Sequence, residues 1–187
     1  MIPIKNKKKT LKITVEEMRN FSLSYVEKYS PSRQQIKTYL LKKYLKQSIS
    51  SVKKQNIIDL IDVVLSDLEK TKFISDKFYS DSKAKNLIQR GTSINKIRNY
   101  LISKGIQDRY IKETINKINE NNEDQDFFSA IKICKKKRIG PSRTEANRSL
   151  FYKKDISLLA RNGFDFETSK KVMDLKKDDY LKIINLL

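Results

Sequence analysis

The side chains of this 187-residue sequence that could act on a partner are its cations. Lys135, Lys136, Lys137 and Arg138 stand consecutively, Arg143 follows, and the stretch from Lys132 to Lys154 sets nine cations against a single acid, Glu145. Like charges packed on one helix end and turn repel unless something offsets them, so this cluster reads as a binding segment rather than a solvated face. A second basic run, from Lys28 to Ile58, holds eight cations and no acid, and the middle of the chain adds Lys83, Lys85, Arg90, Lys96, Arg98, Lys104 and Arg109. Arg90, Arg98 and Arg161 fit two roles: contact with a partner, or capping of carbonyls and bridging between packed elements. Over the whole chain 41 Lys and Arg face 22 Asp and Glu, a formal net charge of +19. That balance points to a polyanion or an acidic protein surface, with nucleic acid first. An AT-rich genome would explain lysine in place of arginine, but not the shortage of acids.

Catalysis has little to stand on. The sequence has no histidine, no glycine-rich phosphate loop and no cysteine with a partner base, so an enzyme is not expected. Asp59, Asp62 and Asp67 are spaced along a helix face, where solvation is their ordinary role, and neither a metal nor a cofactor is expected. Cys134 stands alone, which excludes an internal disulfide and a cysteine-rich zinc site and suits a reducing cytoplasm. Met1 to Lys12 lacks the apolar core of a signal peptide and no apolar run reaches membrane-spanning length, so a soluble cytoplasmic protein is expected. Tyr25, Tyr29, Tyr39 and Tyr100 could stack on bases, but their helical spacing fits core positions better.

These groups must be positioned by helices, since only four glycines and three prolines punctuate the chain. Thr14-Val15-Glu16-Glu17 has the form of a reciprocal capping box, followed by Val15, Met18, Tyr25, Val26 and Tyr29 at helical spacing, with an end near Lys28. Ser32-Arg33-Gln34-Gln35 repeats the box ahead of Ile36, Tyr39 and Leu40. After a polar turn at Gln47 to Ser51, Ile57, Ile61, Val64, Leu65 and Leu68 form the apolar stripe of a helix from Val52 to Lys70, with Asp59, Asp62 and Asp67 outward. Ser75-Asp76 opens a helix stopped by Gly91, and Ser93 caps one with Ile97, Tyr100 and Leu101 that Gly105 ends. Ile111, Ile115 and Ile118 line another, closing near Asn119. Beyond the acidic stretch Glu120 to Asp126 come a helix with Phe127, Phe128, Ala130, Ile131 and Cys134 and a turn at Gly140-Pro141. A helix then runs through Ile156, Leu158 and Leu159 to Gly163, another opens at Asp165 with Val172 and Met173 inward, and Asp178 to Leu187 finishes the chain.

The expected class is all-α: three tandem three-helix repeats at a period of roughly 50 to 60 residues, forming an elongated, curved module. The boundaries are 1–12 for a basic flexible arm, 13–71 for repeat 1, 72–120 for repeat 2, and 121–187 for repeat 3 with a helical extension. The internal signal is a bulky pair before each turn (Tyr39-Leu40, Tyr100-Leu101, Leu158-Leu159). Periodicity alone leaves open the alternative that any helical protein shows such spacing.

Three segments carry a family resemblance. Val64-Leu65-x-x-Leu68-x-x-x-Lys72-Phe73-Ile74-Ser75-Asp76-x-Phe78-Tyr79 is similar to a signature of the RecX family. At the expected distance follows Arg90-Gly91-x-Ser93-x-x-x-Ile97-x-x-Tyr100-Leu101-x-x-Lys104-Gly105-Ile106, which resembles the family's second motif. Lys135-Lys136-Lys137-Arg138-Ile139-Gly140-Pro141 and Leu158-Leu159-Ala160-Arg161-Asn162-Gly163-Phe164-Asp165 resemble its basic third stretch. The departures are local: Lys72 stands where the family usually has glycine, Ser75 where it has its first aspartate, and Tyr44 near a usual Lys-Gly turn.

The resemblance implies a regulator that lies in the groove of the RecA–DNA filament and inhibits RecA's recombinase, ATPase and coprotease activities. Its implied partners are the RecA filament and, without sequence preference, single- and double-stranded DNA. From the residues themselves, a monomer with no membrane contact is expected, since no apolar face is evident beyond those assigned to packing, and Lys135, Lys136, Lys137, Arg138, Arg143, Arg90, Arg98 and Arg161 are the expected contacts. Two other readings stay open. One is a general nucleic-acid-binding helical protein that acts without RecA, and the other is a helical adaptor for a different acidic partner.

Overall fold

The computed structural model describes residues 11–47, 51–122 and 124–187; most of the expected basic arm and the centre of the polar turn after Leu45 lie outside them. The class is all-α, and among the described residues no strand occurs. The chain divides into two compact units, Met1–Ser75 and Asp76–Leu187.

In the first unit, α1 (Val15–Tyr29) and α2 (Arg33–Tyr44) pack on α3 (Ser51–Lys70). The stripe expected on α3 is the core: Ile57, Ile61, Val64, Leu65 and Leu68 are fully buried, against Met18, Ile36, Leu40 and Tyr44. The Ser32 box forms as expected, the Gln35 amide donating to Ser32 Oγ at 3.3 Å and the Ser32 amide to Gln35 Oε1 at 3.0 Å. The Thr14 box is only half made. Thr14 accepts the Glu17 amide, but Glu17 does not reach back, and its Oε2 is buried with no hydrogen-bond partner among the described residues. Glu17 acts instead on Tyr44, whose phenol is pushed up to about 12 by burial and then by the Glu17 charge. Asp62 and Asp67 face outward as expected, where they pair with Lys37 and Arg19, each at 2.7 Å.

Lys72 closes α3 with φ +59, in the left-handed region where glycine is at home. The departure noted at Lys72 thus falls at a position whose backbone conformation glycine would adopt without strain.

The second unit comprises α4 (Asp76–Gln89), α5 (Ile94–Ser103), α6 (Asp108–Asn121), α7 (Gln125–Lys137), a 3-10 turn (Gly140–Ser142), α8 (Glu145–Arg161), α9 (Phe166–Met173) and α10 (Lys177–Leu186). It carries two clusters of buried residues. One gathers Tyr79, Ala84, Ile97, Leu101, Ile106, Ile111 and Ile115 from α4 to α6; the other gathers Ile131, Cys134, Ile139, Leu159, Phe164, Val172, Met173 and Tyr180 from α7 to α10.

The motif segments of this unit meet one another. The turn between α4 and α5 docks on α7, where a Cβ added to Gly91 would lie 2.9 Å from both Lys132 Cβ and the Ser129 carbonyl oxygen. The start of α5 docks on the turn after α8: Ser93 Oγ donates to the Asn162 carbonyl at 2.7 Å and Asn95 to the Gly163 carbonyl at 3.3 Å. Gly163, at φ +85, would with a Cβ meet Ser93 Oγ at 2.5 Å, so this close approach needs glycine. Asp126 Oδ1 accepts the Ile94 amide at 2.8 Å, satisfying an N-terminal donor of α5 from a neighbouring helix.

Candidate polyanion-binding surface

The basic cluster lies at the C-terminal end of α7. Lys135, Lys136 and Lys137 form its last turn, where cations complement the helix dipole, and all are exposed, as is Arg138. Arg138 ends the helix in the left-handed conformation, φ +53, and the Ile139 amide bonds back to the Cys134 carbonyl at 3.1 Å. Among the described residues none of these four forms an ion pair with a carboxylate. Their charge is left for something outside the unit.

The turn that follows is held tightly. The Asp155 side chain, 1% exposed, accepts the Gly140 amide at 2.8 Å and both Nε and Nη2 of Arg143, at 2.6 and 2.9 Å. Burial alone would raise the Asp155 carboxyl, but the Arg143 guanidinium and the Gly140 amide outweigh it and hold the group below the usual carboxylate range. Ser142 Oγ bonds the Cys134 carbonyl at 3.0 Å and the Tyr180 hydroxyl, and Lys177 Nζ donates to the Pro141 carbonyl at 3.0 Å. Cys134 beneath is buried, its thiol pushed up to about 12 by burial and then by the Asp155 charge, so it is inert.

The expected contact residues therefore fall into three places. Lys135 and Lys136, with Lys132, line a groove of about 440 Å³ bordered by Gln89 at the end of α4 and by Ile184 and Leu187. Exposed Arg90 follows Gln89 in the chain, while Lys137 and Arg138 stand at the helix end itself. Arg98 lies on α5 and Arg161 immediately before Asn162, at the α5–α8 junction rather than on the groove. Neither caps a carbonyl nor bridges to a carboxylate among the described residues. Arg143 is spent on Asp155, with its guanidinium carbon also 4.4 Å from the Phe151 ring centroid. Arg148, counted in the same basic stretch, donates to the Met173 and Leu175 carbonyls, each at 2.7 Å, and so closes α9.

Sequence reasoning missed Lys132 as a groove residue and Asp155 as the anchor. Lys132 carries a signal, lying one helical turn before Lys135 and Lys136. For Asp155 the only hint is an acid that directly follows Lys153 and Lys154. Among the described residues no group of three histidine, cysteine or acidic side chains could hold a metal, and no helix is long and apolar enough to cross a membrane.

No family model matches the chain. It is similar to Regulatory protein RecX of Myxococcus xanthus (strain DK1622), with 27% identity over 171 residues that cover 89% of both chains. A solved structure described as the crystal structure of regulatory protein RecX shares the fold with a TM-score of 0.60, at 18% identity over 86% of this chain and 74% of that one.

Proposed function

We propose that the chain, which is similar to Regulatory protein RecX over 89% of its length, is a regulator of that kind that binds the RecA–DNA filament and inhibits RecA's recombinase, ATPase and coprotease activities, with no catalytic step of its own. The observation that supports this reading best is the run Lys135, Lys136, Lys137 and Arg138, four exposed cations without carboxylate partners among the described residues, held out by an anchored turn. A filament offers phosphates and acidic protein surface together, and several weak contacts add through effective concentration. In this reading Lys132, Lys135, Lys136, Lys137 and Arg138 make the contacts, with Arg90, Arg98 and Arg161 extending them. Arg143 acts one step removed: by holding Asp155 it positions the turn that presents the cluster. The protein works in the cytoplasm as a monomer, built as repeats 13–71, 72–120 and 121–187.

The test is RecA's single-strand-dependent ATP hydrolysis at physiological salt. The protein is compared with a variant in which Lys135, Lys136, Lys137 and Arg138 are all glutamine. Suppression of turnover well below saturation of the DNA, lost in the variant, is the expected result. If the protein slows turnover only at concentrations that coat the DNA, it is a general nucleic-acid binder instead. If it has no effect, inhibition is the wrong function for this chain.

A further inference from the structure

The basic run from Lys28 to Ile58 belongs to the first unit, and its chemistry differs from that of the α7 cluster. On α1, Phe21, Tyr25 and Tyr29 follow one another at intervals of four residues, which places them in a single row along the helix. Tyr39 of α2 stacks on Tyr25, with ring centroids 4.4 Å apart and an interplanar angle of 6°, and Tyr29 continues the row 4.8 Å from Tyr25 at 48°. Cations sit over these rings: Lys43 Nζ is 3.7 Å from the Phe21 centroid and 5.8 Å from that of Tyr39, and Lys28 Nζ is 5.2 Å from that of Tyr29.

This row is not core. Phe21, Tyr25 and Tyr39 rest on the buried cluster but are only partly covered, and Tyr29 at the end is 53% exposed. The nearest acid in sequence, Glu27, lies two residues from both Tyr25 and Tyr29, on the far side of the helix from them.

We propose that this outer face of α1 and α2 binds single-stranded nucleic acid, stacking its bases on the tyrosine row while Lys28 and Lys43 meet its phosphates. Flat rings flanked by ammonium groups match a ligand that carries π faces and negative charge in alternation. A duplex keeps its base faces stacked inside, and an acidic peptide offers charge without faces, so neither uses what this row presents. The proposal goes beyond the reading above. It concerns the other unit and needs no RecA, so either can fail alone.

The test uses the purified full chain without RecA and fluorescence anisotropy with three labelled probes: a dT oligomer, a rU oligomer, and an abasic oligomer of equal length that keeps the phosphates but lacks the bases. The protein should bind dT more tightly than the abasic strand. Tyr29→Ala should weaken dT binding by about fivefold or more, the lower range for one stacked base. The same change should leave abasic binding unaltered, and Tyr29→Phe should behave as the unmodified protein. Tyr29 is exposed, so circular dichroism should show an unchanged fold. The dT-to-rU ratio then says which sugar the face prefers. Equal affinity for dT and abasic strands, an unchanged dT affinity in Tyr29→Ala, or an equal loss on both strands would overturn the proposal.

Discussion

Two basic regions, the outer face of α1 and α2 and the C-terminal end of α7, present positive charge in opposite ways. In the first, Lys28 and Lys43 lie over aromatic rings, and Lys37 and Arg19 pair with half-exposed carboxylates on α3. In the second, Lys135 to Arg138 have no such support among the described residues, and the ion pair nearby is buried: Asp155 sits under the turn and Arg143 closes over it. Net charge alone therefore says little about a basic protein. Cations laid on rings are set to meet a ligand with faces, whereas cations at a bare helix end are set to meet charge, and only the second arrangement depends on one interior anchor.

The sharpest way to break this contrast is to remove one partner from each kind of pair. Arg143→Met leaves the buried Asp155 carboxylate without its guanidinium and should cost about 3 kcal/mol in urea unfolding. Arg19→Met removes the partner of half-exposed Asp67 and should cost about 0.5 kcal/mol. Equal costs would show that burial does not separate the two pairs.

Acid provides a second, milder probe. Because the folded Asp155 carboxyl lies below its ordinary value of 3.8, its contribution is complete above that value and is lost as pH falls through the lower folded one. Asp81 of α4, also buried in part but bonded by Lys117 and Thr114, is shifted in the same direction. Stability measured by urea titration should therefore fall as pH is taken below about 4. In Arg143→Met that fall should be shallower, since the chief group holding Asp155 down is gone.

The smallest effect expected is a gain. Lys72→Gly at the end of α3 relieves a left-handed residue and should raise stability by up to about 1 kcal/mol in thermal unfolding of the full chain. No gain would mean that contacts of the lysine side chain offset the backbone strain.

Much of the fold was legible because helices announce themselves locally. The stripe from Ile57 to Leu68, the Ser32 box and the stops at Gly91, Gly105 and Gly163 depend on residues within a turn or two of each other, and each stands where the spacing placed it. The Thr14 box failed in its second half for the complementary reason. Glu17 had a nonlocal neighbour in Tyr44, which no window around Thr14 contains. The candidate site shows the same division. That Lys135 to Arg138 crowd one helix end could be read from their succession, but Arg143, alike in type and close in sequence, is drawn off by an aspartate across the turn.

The sequence by itself determined the all-α class, the ends of most helices, the excess of positive charge and the three motif segments, because each is a property of composition or of short-range spacing. Only the tertiary structure decided which cations pair with carboxylates among the described residues, that Gly91 and Gly163 are the close approaches joining those motifs, and that Tyr25, Tyr29 and Tyr39 form a partly exposed row. Those outcomes turn on which side chains of distant segments come within a few ångströms, and packing, not local spacing, sets that distance.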